Sequence, residues 1–223
     1  MIRSWRPPFL FLAALLALGV GTGANAGPLP GRDQPLDRCA IWFIGSSTIE
    51  RWSTLAADFA PWRVRNSGIG GAVIPDLNAG LAQEPPAGRP AAIVFYGGEN
   101  DIAAGGSAER ALQDFRTFLA LKDRRLGGVP VIAVSVKPGP ARWANRPRQQ
   151  AYDAGVARLA AQRPDLDYVD IRAAMLDGGR PGPYYVEDGV HMNPAGYAIW
   201  TRALRPALDR ILPGWRAACS RRR

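Results

Sequence analysis

A single histidine, His191, stands in the run Glu187-Asp188-Gly189-Val190-His191-Met192-Asn193-Pro194. With no second imidazole in the chain, it cannot belong to a histidine-rich metal site. It can act as a general base. The Asp-x-x-His spacing lets one tight turn set a carboxylate oxygen of Asp188 against the ring Nδ1–H, leaving Nε2 free to take a proton. Three further motifs could complete such chemistry. Gly45-Ser46-Ser47-Thr48-Ile49 offers a serine hydroxyl on a sharp turn that opens a helix, with its own amide available to a developing oxyanion. Asn66-Ser67-Gly68-Ile69-Gly70-Gly71 presents backbone N–H groups where glycines permit close approach. Gly97-Gly98-Glu99-Asn100-Asp101 supplies an uncharged amide donor. Each motif alone has a blander reading, as a helix cap or an Asx turn. Together they hold a nucleophile, backbone and side-chain donors, and an oriented base, which is the inventory for acyl transfer through a tetrahedral intermediate.

These motifs need a scaffold that brings them to one edge, and the hydrophobic pattern predicts one. Strand-like runs occur at Ala40 to Ile44, Trp62 to Asn66, Ala91 to Tyr96, Val129 to Val136 and Leu166 to Asp170. Most are apolar on both faces, as a parallel sheet covered by helices on both sides requires, while Trp62 to Asn66 alternates and suits an edge. Helical spacing lies between them. Ser107 caps a segment with Leu112, Phe115 and Leu119 on one face, and Asn145 to Gln162 carries Tyr152, Val156 and Leu159. Asn193-Pro194 opens a last helix that turns Tyr197, Trp200 and Leu204 inward and that Pro206 should kink or split. Strand and helix thus alternate five times, predicting a three-layer α/β domain with right-handed crossovers. In such sheets ligands collect beyond the carboxyl ends of the strands, where all four motifs fall.

The ends and the composition set further bounds. Arg3 and Arg6 precede the apolar run Phe9 to Val20, and Ala24-Asn25-Ala26 follows, so residues 1–26 read as an export signal cleaved after Ala26. The alternative is an uncleaved N-terminal anchor. Residues 27–223 then form one domain, with its core at about 40–212, and the mature protein is expected in the periplasm or outside the cell, without stable membrane insertion. Two cysteines, Cys39 and Cys219, suit a disulfide in that compartment, and two unpaired thiols are the other reading. The formal charge is +9, or +7 without Arg3 and Arg6, and Lys122 and Lys137 are the only lysines. No aromatic-interleaved basic stripe accompanies that charge, so a nucleic-acid partner is not expected. The basic tail Arg221 to Arg223 could brush anionic polymers. The glycine loop after the second strand lacks the third glycine of a dinucleotide fingerprint, which is Val73 here. Carboxylates in metal-ligand spacing are absent, which disfavours a metal-dependent phosphoesterase.

The set Gly45-Ser46-Ser47, Gly71, Gly98-Glu99-Asn100-Asp101 and Asp188-x-x-His191 resembles the SGNH (GDSL-type) hydrolase family, in a branch written Gly-Ser-Ser. The resemblance runs from about Ala40 to the final helix. It implies a flavodoxin-like α/β/α sheet of order 2-1-3-4-5 and ester hydrolysis without a cofactor or metal. It also implies Ser47 as nucleophile, His191 as base and Asp188 as its orienter. The oxyanion donors would be the Ser47 and Gly71 amides and the Asn100 side chain. The family's aspartate before the nucleophile is Ser46 here, which makes Ser46 a rival nucleophile. The G-x-S-x-G elbow of α/β-hydrolases is absent. Arg142, Trp143 and Tyr184 are candidate rim residues for a small-molecule or carbohydrate ester. With no large inserted lid, a shallow site for short acyl groups, such as O-acetyl groups on carbohydrate, is expected. A lysophospholipase, a thioesterase or an acyltransferase would use the same residues, and a non-catalytic carbohydrate-binding protein would not need the Asp188–His191 pair.

Overall fold

Strand β1 (Ala40–Gly45) is an interior strand, flanked in parallel by β2 (Arg63–Gly68) and β3 (Ala92–Tyr96). Strands β4 (Val131–Val134) and β5 (Leu166–Val169) extend the sheet beyond β3, giving the order β2-β1-β3-β4-β5. This computed structural model describes residues 27–85 and 88–219. The expected leader and the basic tail lie outside them. Among the described residues no helix is long and apolar enough to cross a membrane.

Why the strands are apolar throughout follows from their alternation. Ala40, Trp42 and Ile44 face one helical layer, whereas Ile41 and Phe43 face the other, and both sets are fully buried. The first layer is built from α3 (Ile74–Ala82), α5 (Ala108–Leu126) and α6 (Arg146–Ala160). The second comprises α1 (Ser47–Glu50), α2 (Leu55–Asp58) and α7 (Pro194–Ile211). A strand buried on both faces has no polar side to show, hence the continuous apolar runs. Ser107 caps α5 by accepting from the Arg110 amide, and Asn193 caps α7 by accepting from Gly196. Trp52 packs edge-on against Phe43, Phe59 and Trp200 in the second layer.

The expected break at Pro206 does not split α7, which continues from Pro194 to Ile211. A helical proline orphans the carbonyl four residues earlier. Here that residue is Arg202, which is exposed like Pro206 itself, so water can satisfy the carbonyl. Leu204, Ala207 and Leu208 meanwhile hold the helix to the core on its inner side.

The edge strand β2 is closed off by the segment before β1. The Asn66 amide donates to the Gln34 side chain. Arg65, fully buried, donates to Glu84 at 2.9 and 3.0 Å and to the Pro30 and Leu29 carbonyls, and its guanidinium lies 4.6 Å from the Trp42 ring centroid. A charged residue thus fills an inward position because its partners are inward too. At the far end Cys39 and Cys219 are joined by a disulfide, with Cα atoms 5.6 Å apart. Closing a loop of that length can contribute about 5 kcal/mol by restricting the unfolded chain.

At the amino end of β5, the fully buried Lys122 ammonium sits 2.5 Å from Asp165 and 2.6 Å from Asp123, and Arg163 bridges the same two carboxylates. Hydrogen bonding from Arg163, opposed by partial burial and helped by Lys122, draws the Asp165 carboxyl down to about 2. A carboxyl depressed in the folded state stabilises it above the ordinary carboxylate value, and that contribution is lost as pH falls through about 2. We therefore expect Asp165→Asn to lower the thermal midpoint at neutral pH. The gap from the parent protein should close progressively below pH 4, as read by circular dichroism melts across pH 2–7. A gap independent of pH would contradict the assignment.

Candidate active site

The turn after β1 forms because Ser46, with extended backbone, caps the short helix α1 and accepts the amides of Ile49 and Glu50. Ser47 is the first residue of that helix. Its Oγ lies 2.8 Å from His191 Nε2, and His191 Nδ1 lies 2.6 Å from Asp188 Oδ2. The hydroxyl, the ring and the carboxylate therefore form one unbroken row. Ser46, by contrast, is buried at 3% exposure, and it is the Ser47 hydroxyl that meets the imidazole.

Local sequence explains the placement of the base. Asp188 Oδ1 accepts the amides of both Val190 and His191 at 2.8 Å, which folds the four residues into a turn. The Val186 amide donates to the His191 carbonyl, and Tyr185 pairs with Met192, so the turn closes a small hairpin in front of α7. Partial burial would raise the Asp188 carboxyl. The hydrogen bonds from the His191 ring and from the His191 and Val190 amides outweigh it and hold the group far below the usual carboxylate range. An ionised Asp188 fixes the proton on Nδ1 and leaves the Nε2 lone pair toward Ser47. Arg51 Nη1 also approaches Nδ1, at 3.1 Å, and Asp188 at 3.8 Å. Because Nδ1 already donates to Asp188, this is a cation laid alongside the pair, and it donates no hydrogen bond to the ring.

The second and third strand ends meet the first directly. Gly45 pairs with Gly68 on one side and with Tyr96 on the other. A Cβ at Gly68 would stand 2.0 Å from the Glu50 nitrogen, so this glycine serves the close packing of β2 against α1. Gly71 is different. Its φ of +72° favours glycine, its Cα faces open space, and neither its amide nor that of Ser47 has an acceptor among the described residues. Next to it, the Ala72 carbonyl accepts from Asn100 Nδ2 at 2.8 Å, bringing the Asn100 amide beside Gly71.

Asn100 lies in α4 (Glu99–Ala103), and its neighbours in the motif have separate tasks. Asp101 accepts the Ile74 amide at 3.0 Å and so ties the loop after β2 to α4. Glu99, 2% exposed, takes the Tyr96 hydroxyl at 2.6 Å and pairs with the fully buried Lys137 ammonium. Lys137, in the loop after β4, donates also to Thr48 Oγ1 at 3.0 Å. Burial draws the Lys137 ammonium below its ordinary value, against the pull of Glu99 in the other direction. Burial, reinforced by Glu99, pushes the Tyr96 phenol well above its own. Tyr197 on α7 donates to the Thr48 carbonyl at 3.0 Å, so the residue following Ser47 is held at both its side chain and its carbonyl.

Of the rim residues, Arg142 and Trp143 lie half-buried in a 3₁₀ turn, Pro140–Asn145, after β4. Arg142 does not point freely into solvent, because its Nη1 donates to Asn100 Oδ1 at 2.7 Å. The Arg146 guanidinium lies 6.0 Å from the Trp143 ring centroid. Tyr184 stacks its ring over Gly182 and packs on the second core layer. Sequence reasoning did not single out Thr48, Tyr96, Glu99 or Lys137 as a supporting group, nor Arg51 beside the base. A signal existed for one of them. In a chain that uses arginine almost exclusively, the only two lysines are both completely buried. The ammonium is a compact point charge with three rotatable donors, which suits the convergent partners around Lys137.

Among the described residues no group of three His, Cys, Asp or Glu side chains could hold a metal ion. The profile of the GDSL-like Lipase/Acylhydrolase family matches residues 42–199, more than half of the chain and the whole span from β1 into α7. The chain belongs to this family. Among curated proteins nothing matches. Similar solved structures include a Streptococcus pneumonia protein named for platelet activating factor, 22% identical with a TM-score of 0.69, covering 78% of this chain and 84% of that one. A GDSL-like lipase from Bacteroides thetaiotaomicron is 22% identical, with a TM-score of 0.62 and coverage of 78% and 89%. A carbohydrate esterase family 3 protein from Talaromyces cellulolyticus is 16% identical, with a TM-score of 0.61 and coverage of 78% and 97%. At these identities the likeness carries the fold, which in this GDSL-family chain is the three-layer sandwich expected from its sequence.

Replacing Lys137 with Met strands the Glu99 carboxylate in the interior. Removing one partner of a buried ion pair costs about 3–5 kcal/mol. Urea unfolding of Lys137→Met should show a loss of that order, largely recovered when Glu99→Gln is added to remove the unpaired charge. Equal losses in the single and double variants would contradict this coupling.

Proposed function

We propose that the protein is an exported serine ester hydrolase that removes short acyl groups through an acyl-Ser47 intermediate. The observation that carries this reading is the row from Ser47 Oγ through His191 to Asp188, at 2.8 and 2.6 Å. His191 takes the Ser47 proton as Oγ attacks the ester carbonyl, and Asp188 stabilises the imidazolium. The tetrahedral oxyanion is held by the amides of Ser47 and Gly71 and by the Asn100 side chain. Protonated His191 then gives its proton to the departing alcohol. Water, deprotonated by the same ring, cleaves the acyl-serine and restores the hydroxyl. No cofactor enters this sequence. Ser47→Ala should lower kcat on p-nitrophenyl acetate by several orders of magnitude, and Asn100→Ala by about 10²–10³-fold, the cost of one oxyanion donor elsewhere. Near-parental turnover by Ser47→Ala would end the assignment.

The acyl preference rests on the short connections at the carboxyl edge. The 3₁₀ turn after β4 and the two-residue strands β6 (Leu176–Asp177) and β7 (Arg180–Pro181) are the additions there, and neither is long enough to roof a long chain. An O-acetyl group on carbohydrate suits such a site, and the similar Talaromyces protein is itself a carbohydrate esterase. Export, which the leader over residues 1–26 supports, would place the enzyme among envelope or extracellular polysaccharides. Across p-nitrophenyl esters of two to twelve carbons, kcat/KM should be highest for acetate and fall steadily. A maximum at eight carbons or more would replace this reading with a lysophospholipase or thioesterase.

A further inference from the structure

The side-chain amide of Asn100 has three hydrogen-bonding valences that matter to the site, and two are taken. Its Nδ2 donates one proton to the Ala72 carbonyl at 2.8 Å, and its Oδ1 accepts from Arg142 Nη1 at 2.7 Å. A flipped amide would set its NH₂ against the guanidinium and its oxygen against the Ala72 carbonyl, two repulsive contacts in place of two bonds. One N–H alone remains uncommitted. A cation on the amide oxygen also polarises the group and makes that remaining N–H a stronger donor. Arginine suits the task, since its charge persists at every working pH and its fork of donors is planar and rigid.

Arg142 is itself held by the apparatus it serves. Its turn is tied to the turn of the base, with the Ala141 amide donating to the Gly189 carbonyl at 3.1 Å, between Asp188 and His191. A Cβ at Gly139 would stand 3.1 Å from the same carbonyl, so the two loops pass in close contact. The loop after β4 thus links the base on one side to the amide donor on the other.

We propose that Arg142 is a positioning residue, one that orients and polarises the Asn100 amide toward the reacting oxygen and acts through it without binding the substrate. This rests on the ester-hydrolase reading above. It assigns Arg142 a different task from the substrate-rim position that its sequence context suggested.

The test is a double-mutant cycle on the neutral substrate p-nitrophenyl acetate. Arg142→Ala should lower kcat by about 10- to 100-fold, the range seen when outer partners of catalytic ligands are removed elsewhere, with KM nearly unchanged. In the Asn100→Ala background the same substitution should cost almost nothing, because the group it acts through is gone. Added guanidinium ion should restore part of the activity of Arg142→Ala and none of that of the double variant. Equal fold losses in both backgrounds, or a loss confined to KM, would overturn the proposal and return Arg142 to substrate binding. Should the parent protein fail to turn over esters, the functional reading falls and the positioning claim is read directly from the ¹⁵N–¹H resonances of the Asn100 side chain. These should shift and exchange faster with solvent in Arg142→Ala, and unchanged resonances would overturn the proposal.

Discussion

Beneath the turn that carries Ser47, an ammonium and a carboxylate are buried against each other, and the ends of three strands are pinned to that pair. Lys137 arrives from β4, Glu99 and Tyr96 from β3 and its following helix, and Thr48 from the turn after β1. A lone charge in that interior costs several kcal/mol, so the pair favours the arrangement in which all three strand ends are in place. The consequence for chemistry is rigidity at the residue next to Ser47. Thr48 is held at its side chain by Lys137, from the loop after β4, and at its carbonyl by Tyr197 of α7. A hydroxyl that must stay within hydrogen-bond reach of an imidazole 144 residues away needs such a mount.

The polar groups at this edge sort into those proposed to meet the reacting atoms and those that hold them, and the sequence was informative mainly about the former. Ser47 and Asn100 stood out because each follows a strand in a short, polar, glycine-bearing motif, and Asp188 and His191 because they share such a motif ahead of the last helix. Those motifs are local, so their spacing is visible in one dimension. The supporting contacts are not local. Lys137 reaches Glu99 across 38 positions, and Arg142 reaches Asn100 across 42. Nothing in the run Lys137-Pro138-Gly139-Pro140 announces a partner, and Arg142 beside Trp143 suggests a substrate rim as readily as a strut. The rarity of lysine was the one compositional clue, and it marks both buried ammonium sites.

The fold itself was legible for the same reason that it is stable. Near-continuous apolar runs belong to a covered parallel sheet, and the helix caps at Ser107 and Asn193 act where their residue types predict. Two features escaped because tertiary context overrides local preference. Pro206 stays within α7, since the carbonyl it orphans faces solvent and the opposite face is anchored. Arg65 reads as an outward residue of an edge strand, yet the segment around Leu29 and Pro30 folds over it and supplies carbonyls that, with Glu84, satisfy its guanidinium. The edge is thereby closed to pairing with another chain.

The bond between Cys39 and Cys219 encloses 180 residues of separation, nearly the entire folded chain, within one covalent ring. A protease nick in any surface loop of that ring therefore opens the backbone without releasing a fragment. The two pieces stay tethered, and the severed domain can re-close around its intact core as an intramolecular event. Such a ring turns loop cleavage from a terminal event into a tolerable one.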